Sequence, residues 1–115
     1  MNQLSLPSMD AVAAAAALTD GATLLLDVRE YDEWMAGHAP TAAHIAMSDL
    51  PGRVAELPRT HRIICVCRSG NRSARVVAWL VAQGFDAVNL AGGIQAWVGA
   101  GNPIVNHAGN AGLVI

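Results

Sequence analysis

The sequence predicts an α/β domain with a mainly parallel sheet that helices cover on both faces. Short apolar runs alternate along the chain with helical patterns, and this alternation indicates crossover connections between parallel strands. The central runs are apolar at nearly every position, as strands require when both of their faces are buried. With 115 residues, of which 53% are hydrophobic and 14% charged, the chain is expected to form one folded domain.

An alanine-rich segment near the start of the chain is expected to form a surface helix over residues 11–18. Ser8 could cap its first turn, Asp10 suits the positive end of the helix dipole, and Gly21 lies just past its end. The segment is too short to span a bilayer, which takes about 20 residues. A signal peptide is disfavoured because no Lys or Arg precedes the apolar residues.

The next stretch of the chain is interpreted as two short strands and two short helices. Residues 23–27 form an apolar run that ends at Asp27, which is typical of a buried strand. After this strand the pattern predicts a helix over residues 30–36, a short strand over residues 43–46, and a helix from about residue 49 to residue 57, which Pro58 ends.

The second half of the chain holds the strongest strand and the strongest helix. Residues 62–66 are rich in β-branched side chains, which favours a strand. Residues 71–83 have a helical pattern that Gly84 closes, residues 87–90 form a last short strand, and a helix begins after the pair Gly92-Gly93.

The C-terminal residues 106–115 are assigned to a tail, and the domain to residues 1–105. The tail is rich in Gly, Asn and Ala at its start and apolar at its end. It could dock on the domain, reach a partner, or fray.

Composition narrows the classes of function. The net charge of −2 argues against a nucleic-acid-binding surface. All seven basic side chains are arginine, so Schiff-base chemistry and a lysine-anchored phosphate loop are excluded. Two cysteines two residues apart cannot form a disulfide framework, so we expect a reduced, cytoplasmic setting without a membrane partner.

The chemistry is predicted at the turn that follows the strongest strand, where α/β sheets bind ligands. Cys67 opens this turn, and the N-terminus of the next helix favours a reactive thiolate there. Gly70 and Asn71 tolerate the positive φ angles of a tight loop, and its N–H groups could converge on an anion. Arg68 and Arg72 would favour the thiolate further, so the loop is interpreted as a nucleophile in a cradle for an anionic substrate.

The two cysteines are given different roles. A cysteine at the end of a buried strand is often inert, but the Gly-Asn turn and two flanking arginines make this interpretation of Cys67 the weaker one. Cys65 lies inside the strand and is expected to pack in the core, since a bridge to Cys67 over one residue would be strained. A metal site is not expected, because Cys-x-Cys with four scattered histidines lacks ligand spacing; the histidines are His38, His44, His61 and His107.

Three motifs resemble those of the rhodanese-like sulfurtransferases, and the resemblance runs from about Leu4 to Val105. The first is the loop of residues 67–72, which looks like the active-site loop of the family. The second is residues 24–30 (LLLDVRE), followed by Glu33, Trp34, Gly37, His38 and Pro40. The third is residues 90–97 (LAGGIQAW), and the three occur in the order that the family shows.

The resemblance implies a single rhodanese domain: a three-layer sandwich with about five mainly parallel strands between helices. It implies that Cys67 takes a sulfane sulfur from a small anionic donor such as thiosulfate and forms a persulfide. Cyanide or a thiol then accepts the sulfur, no cofactor is needed, and a monomer is expected. The loop residues would bind the substrate, namely Arg68, Ser69, Gly70, Asn71, Arg72 and Ser73, with hydroxyl donors from the two serines.

Residues outside the loop are given mainly structural roles. Asp27 and Arg29 support the site, either by orienting loop N–H groups or, as we favour, by forming an ion pair or helix cap. His38 is interpreted as a turn residue that hydrogen-bonds to backbone. The three tryptophans are expected to pack in the core or between helix and sheet, namely Trp34, Trp79 and Trp97.

Two alternative functions are weighed against the sulfurtransferase. Phosphatases and arsenate reductases of the same fold have five residues between the cysteine and an arginine, whereas four separate Cys67 from Arg72 here. The next position is Ser73, which cannot clamp a phosphate as arginine does. The second alternative is a sulfur-relay or redox-sensing module that carries a persulfide to a partner protein, with the apolar end of the tail as a docking strand.

Overall fold

The computed structural model describes residues 6–115, and within them the chain forms one sheet of five parallel strands. The spatial order is β1-β5-β4-β2-β3. The strands are β1 (Ser8–Met9), β2 (Thr23–Asp27), β3 (Ala43–His44), β4 (Arg62–Val66) and β5 (Ala87–Leu90). The predicted α/β class is confirmed. The predicted start of the domain at residue 1, and of the resemblance at Leu4, lies outside the described residues.

Helices cover both faces of the sheet, which confirms the three-layer sandwich. They are α1 (Ala11–Ala17), α2 (Tyr31–Ala36), α3 (Leu50–Arg53), α4 (Asn71–Ala82) and α5 (Gly93–Gly99), with 3-10 turns at Leu18–Asp20, Met47–Asp49 and Val54–Glu56. Helices α3 and α4 pack with one half of the core, and α1 and α5 pack with the other half. No helix in this part of the chain is long and apolar enough to cross a membrane.

The core divides between the two faces because side chains alternate along each strand. On β4, Ile63 and Cys65 face α3 and α4, whereas Ile64 and Val66 face α1 and α5. All four are fully buried. Burial of each large aliphatic side chain contributes about 2 kcal/mol, so this strand fixes the centre of the domain.

Two local predictions are wrong in detail. Asp10, rather than Ser8, caps α1, because its carboxylate accepts from the Ala13 N–H at 2.8 Å while Ser8 pairs with β5. The helix expected over residues 49–57 is a single α-helical turn between two 3-10 turns. Pro51 lies in the first turn, where proline is tolerated, so Gly52 is the residue that weakens the helix, since glycine disfavours the helical backbone.

The C-terminal tail docks on the domain, which is one of the three possibilities left open by its sequence. The His107 N–H donates to the Met35 carbonyl at 3.0 Å, and the Leu113 N–H donates to the Ala36 carbonyl at 2.9 Å. The close approach needs a glycine, because a Cβ at Gly37 would lie 2.5 Å from the Leu113 carbonyl oxygen.

Candidate active site

The loop from Cys67 to Gly70 leaves the carboxyl end of β4 and leads directly into α4. Gly70 takes a left-handed conformation with φ of 106°, which glycine adopts without steric cost. Asn71 does not share this role: it is the first residue of α4, and none of the non-glycine residues 6–115 has a positive φ. The predicted turn therefore depends on Gly70 alone.

The start of α5 anchors this loop from the other side. The Ile94 N–H donates to the Cys67 carbonyl at 2.8 Å, and the Gln95 N–H donates to the Arg68 carbonyl at 3.2 Å. Gly93 makes this approach possible, because a Cβ there would lie 2.5 Å from the Arg68 carbonyl oxygen. These two hydrogen bonds and the close approach at Gly93 fix the position of the loop against α5.

The Cys67 sulfur lies among hydrogen-bond donors. The Gly70 N–H donates to Sγ at 3.1 Å, the Ser73 N–H at 3.3 Å, and Ser73 Oγ lies 3.2 Å away. Burial raises the pKa of this thiol, but the Ser73 hydroxyl and the N–H groups of Ser73, Gly70 and Ser69 outweigh burial and hold the pKa below its ordinary value. The loop therefore stabilises a thiolate at Cys67.

The two arginines contribute less to this thiolate than their sequence positions suggest. Arg72 forms two hydrogen bonds with Glu33, at 2.7 and 2.9 Å, which largely neutralise its charge. Glu33 raises the pKa of Arg72 most, and the nearby Cys67 raises it further. Arg68 is exposed, and its Nε donates to the Ile115 carbonyl at 3.0 Å. The interaction between Arg72 and Cys67 favours the thiolate as predicted, but the nearest stabilisation comes from the loop donors.

The remaining loop residues differ in exposure. Ser69 and Asn71 are exposed at the outer side of the loop, while Gly70 and Ser73 are buried beside the thiol. The structure thus brings Gly70 and Ser73 into hydrogen-bond contact with the sulfur, while Arg68, Ser69 and Asn71 are exposed around it. Their role in binding a substrate stays a prediction.

Two residues that the sequence analysis did not assign to the site hold the loop in place. Asn89, on β5, lies with Oδ1 2.6 Å from Ser73 Oγ and donates through Nδ2 to the Gly70 carbonyl at 3.1 Å. Glu33, on α2, holds Arg72. Asn89 is a polar side chain within an otherwise apolar strand, and this was the signal that could have identified it.

Asp27 and Arg29 form a closed ion pair at the neighbouring end of β2. Arg29 Nη2 lies 2.7 Å from Asp27 Oδ2, and both side chains are 0% exposed. The same nitrogen donates to the Gly37 carbonyl at 2.6 Å, while Nη1 has no hydrogen-bond partner among residues 6–115. The favoured structural interpretation is confirmed, since the pair holds the turn that leads into α2.

Cys65 lies in the core, as predicted. It is fully buried, and burial, with a smaller contribution from Cys67, raises the pKa of its thiol to about 12. Within the described part of the chain, no three side chains of His, Cys, Asp or Glu are grouped to hold a metal ion.

The histidine and tryptophan predictions are largely confirmed. His38 donates from Nδ1 to the Trp34 carbonyl at 2.8 Å, so it serves the turn. Trp97 is buried in the core on the face that α1 and α5 cover, and Trp79 packs against the core on the opposite face of the sheet. Trp34 instead stacks on the rings of His38 and His44, at centroid distances of 3.6 and 4.9 Å.

Comparison with known proteins finds one family and several relatives. The family described as "Rhodanese-like domain" matches residues 10–100. The chain is 43% identical over 79 residues to "Putative sulfurtransferase YtwF" of Bacillus subtilis, covering 69% of this chain and 77% of the relative. It is 41% identical over 87 residues to a protein named "Sulfurtransferase" of Allochromatium vinosum, covering 75% and 81% respectively.

Two solved structures resemble the whole fold. A rhodanese-related protein from Thermoplasma volcanium matches with a TM-score of 0.81 and 33% identity, covering 86% of this chain and 97% of the other. A thiosulfate sulfurtransferase from Pseudomonas aeruginosa matches with a TM-score of 0.81 and 28% identity, covering 91% of this chain and 20% of the larger one.

Proposed function

Since the chain belongs to the family of rhodanese-like domains, we propose that it is a sulfurtransferase that carries a sulfane sulfur as a persulfide on Cys67. The observation that carries this proposal is the position of Sγ among loop donors at 3.1 to 3.3 Å, where the pKa of the thiol is lowered. A lowered pKa supplies the thiolate that nucleophilic attack requires. The two relatives named sulfurtransferase support the same class of reaction.

The proposed reaction has two half-reactions. The Cys67 thiolate attacks the outer sulfur of thiosulfate, a new S–S bond forms to Sγ, and the S–S bond of thiosulfate breaks as sulfite leaves with its electron pair. Cyanide or a thiolate then attacks the outer sulfur of the persulfide. The S–S bond to Cys67 breaks, thiocyanate or a new persulfide leaves, and the Cys67 thiolate is regenerated. Two such steps predict ping-pong kinetics.

The loop suits this chemistry because its donors surround the place where negative charge is held. N–H groups fixed in a partly dry site stabilise an anion without reorganising during the reaction. The exposed Arg68 adds a positive charge at the outer side of the loop, where a dianionic donor would approach. We therefore assign thiosulfate, or a similar small anionic sulfur compound, as the donor.

The decisive assay measures thiocyanate formed from thiosulfate and cyanide by the wild-type protein and by Cys67→Ser. We expect the substitution to lower the rate by roughly three orders of magnitude or more, since a serine hydroxyl cannot form the persulfide. Cys65→Ala is the matched control and should retain most of the activity. Equal rates for the wild-type and C67S proteins would contradict the proposal.

A sulfur-relay module is the second candidate, and the tail favours it. Leu113 is 72% exposed and Ile115 is 50% exposed, and the Ile115 carbonyl accepts from Arg68 at the outer side of the loop. An apolar surface beside the loop suits a protein partner. A relay is indicated if the purified protein carries an adduct of about 32 Da, one sulfur atom, on Cys67 while the thiosulfate-to-cyanide rate is negligible. A fast thiosulfate-to-cyanide rate would instead favour the enzyme.

A further inference from the structure

The Ser73 hydroxyl lies between two groups that each need its single proton. Ser73 Oγ is 2.6 Å from Asn89 Oδ1 and 3.2 Å from Cys67 Sγ. A serine hydroxyl has one proton to donate and two lone pairs that accept. It can therefore donate to the asparagine or to the sulfur, but not to both at once.

The orientation of the Asn89 amide decides where this proton lies. Nδ2 is 3.1 Å from the Gly70 carbonyl oxygen, which can only accept, so the NH₂ group must face Gly70. Oδ1 then faces Ser73, and Oδ1 can also only accept. The hydroxyl must donate across the 2.6 Å contact, because two oxygens this close without a proton between them would repel each other.

With its proton on the Asn89 side, Ser73 Oγ turns a lone pair towards Cys67. This arrangement suits the neutral thiol, whose S–H can donate to Oγ, and it opposes the thiolate. We propose that Asn89 is a positioning residue which fixes the direction of the Ser73 hydroxyl proton and thereby restrains the formation of the Cys67 thiolate. The inference rests on the proposed role of Cys67 as the reacting sulfur and deepens it.

The restraint has a chemical use in sulfur transfer. A thiol with a very low pKa is a weak nucleophile, and attack is fastest when the pKa lies near the ambient pH. The N–H groups of Ser73, Gly70 and Ser69 pull the pKa of Cys67 downwards, and so does the Ser73 hydroxyl to the extent that it turns its proton from Asn89 to the thiolate. The Asn89–Ser73 hydrogen bond limits this effect, so the thiol remains nucleophilic as well as ionisable.

Asn89 carries no charge, so substitutions at Asn89 and Ser73 leave the charged and titratable groups near Cys67 unchanged. Four of them form two ion pairs, Arg72 with Glu33 and Asp27 with Arg29. These groups are Cys65 on β4, Arg68 in the loop, Arg72 on α4, Glu30 and Glu33 at α2, Asp27 at the end of β2 and Arg29 after it.

The test measures the pH dependence of iodoacetamide alkylation at Cys67 in four proteins: wild type, Asn89→Leu, Ser73→Ala and the double variant. Removing Asn89 releases the hydroxyl proton to the sulfur. The N89L protein should therefore show an apparent pKa lower by about half a unit to one unit, which corresponds to one charge-assisted hydrogen bond. In the Ser73→Ala background the same substitution should shift the pKa by less than about 0.2 units, since no hydroxyl remains to be redirected.

A rise in the pKa of N89L, or an equal shift in both backgrounds, would overturn the inference, because Asn89 would then act through the Gly70 carbonyl alone. If N89L does not fold, as judged by circular dichroism, Asn89→Ala replaces it and the same comparison applies. Alkylation needs no sulfur donor. The result thus separates this inference from the proposed function, which the thiocyanate assay tests independently.

Discussion

The carboxyl ends of β2 and β4 lie side by side, but their polar groups are arranged differently. Those at the end of β2 bind each other, whereas those after β4 face a sulfur atom. Asp27 at the end of β2 is the register partner of Val66 at the end of β4. At the first end, Asp27 and Arg29 pair with each other and are fully buried. At the second end, the loop donors converge on one sulfur, and Arg68 extends outward from the loop.

The difference shows how one sheet edge supplies both rigidity and reactivity. A charge pair closed on itself holds its turn rigid and offers little to a ligand, whereas donors that face one small atom create a site. Glu33 joins the two ends, because it lies on the helix that follows β2 and binds Arg72 beside the loop. The two ends are therefore mechanically linked although only one is proposed to react.

The largest expected effect is a difference in alkylation rate between two thiols, Cys65 in β4 and Cys67 just after it. At pH 8, a pKa of about 12 leaves roughly one Cys65 in ten thousand as thiolate, whereas the lowered pKa of Cys67 leaves a substantial fraction ionised. Iodoacetamide should therefore label Cys67 at least about a thousandfold faster than Cys65 in the native protein. Peptide mapping by mass spectrometry measures both rates.

The denatured protein is the control for this selectivity, since both cysteines should then react at similar rates. Comparable labelling of the two thiols in the native protein would show that Cys65 and Cys67 do not differ in reactivity as predicted.

Breaking the closed pair should have the largest effect on the stability of the domain. Asp27→Asn leaves the buried Arg29 charge without its partner, and such a change costs about 3–5 kcal/mol in the free energy of unfolding. Urea denaturation measures this loss. Asp86→Asn is the matched control, because the pair of Asp86 with Arg62 is 3.4 Å long and exposed, with 60% and 48% of the side chains accessible.

We expect the D86N protein to lose less than about 0.5 kcal/mol. The folded D27N protein should also keep the alkylation profile of Cys67, since Asp27 supports the fold rather than the thiol. A loss below 1 kcal/mol in D27N would mean that the buried pair does not hold the turn into α2.

A substitution at the start of α5, which contacts the loop after β4, should have the next largest effect. Gly93→Ala introduces a Cβ at φ of 64° and 2.5 Å from the Arg68 carbonyl oxygen, which should cost about 2–3 kcal/mol in the free energy of unfolding. The loop must then shift away from α5, so its N–H groups turn from Sγ and the pKa of Cys67 rises. Urea denaturation and the alkylation profile report the two effects.

Gly99→Ala tests the same change in the same helix without the contact, because nothing lies within 4 Å of its Cβ position. It should leave both the stability and the pKa nearly unchanged. If Gly93→Ala behaved in the same way, α5 would not be the anchor of the loop.

Sequence patterns predicted the elements whose signals are local. The apolar runs placed β2, β4 and β5, and glycines marked the turn at Gly70 and the end of α4 after residue 82. Cys67 stood out for the same reason, since a thiol, a glycine turn and a helix start follow one another in the chain.

The contacts that tune Cys67 come from other elements and could not be predicted locally. Asn89 reaches the loop only because β5 lies next to β4, where Asn89 is the register partner of Cys65. Glu33 meets Arg72 across 39 positions of sequence. From the sequence alone, Arg72 is interpreted as a charge that acts on the thiol. Its pairing with Glu33 depends on the order of the strands and the placement of the helices, which the sequence pattern does not reveal.

The smallest expected effect concerns the link between the two strand ends. Arg72 lowers the pKa of Glu33, chiefly by hydrogen bonding to its carboxylate. A lowered folded-state pKa means that the pair stabilises the protein above the unfolded Glu pKa of about 4.3, and that this stabilisation is lost as pH falls through the folded value. Glu33→Gln should therefore cost about 1 kcal/mol at pH 7, and the difference from wild type should shrink below about pH 4.

Urea denaturation at several pH values measures this difference, and the substitution is well matched because Gln retains the oxygen that accepts from the Glu30 N–H at 3.0 Å. Glu56→Gln breaks the exposed pair with Arg53, whose side chains are 54% and 45% accessible, and should change stability by less than about 0.5 kcal/mol. A difference between the wild-type and E33Q proteins that stays constant from pH 7 to pH 3 would assign the effect to packing instead of charge. The link between the two ends would then be steric, and Arg72 would be free to act on the Cys67 thiolate with its full charge.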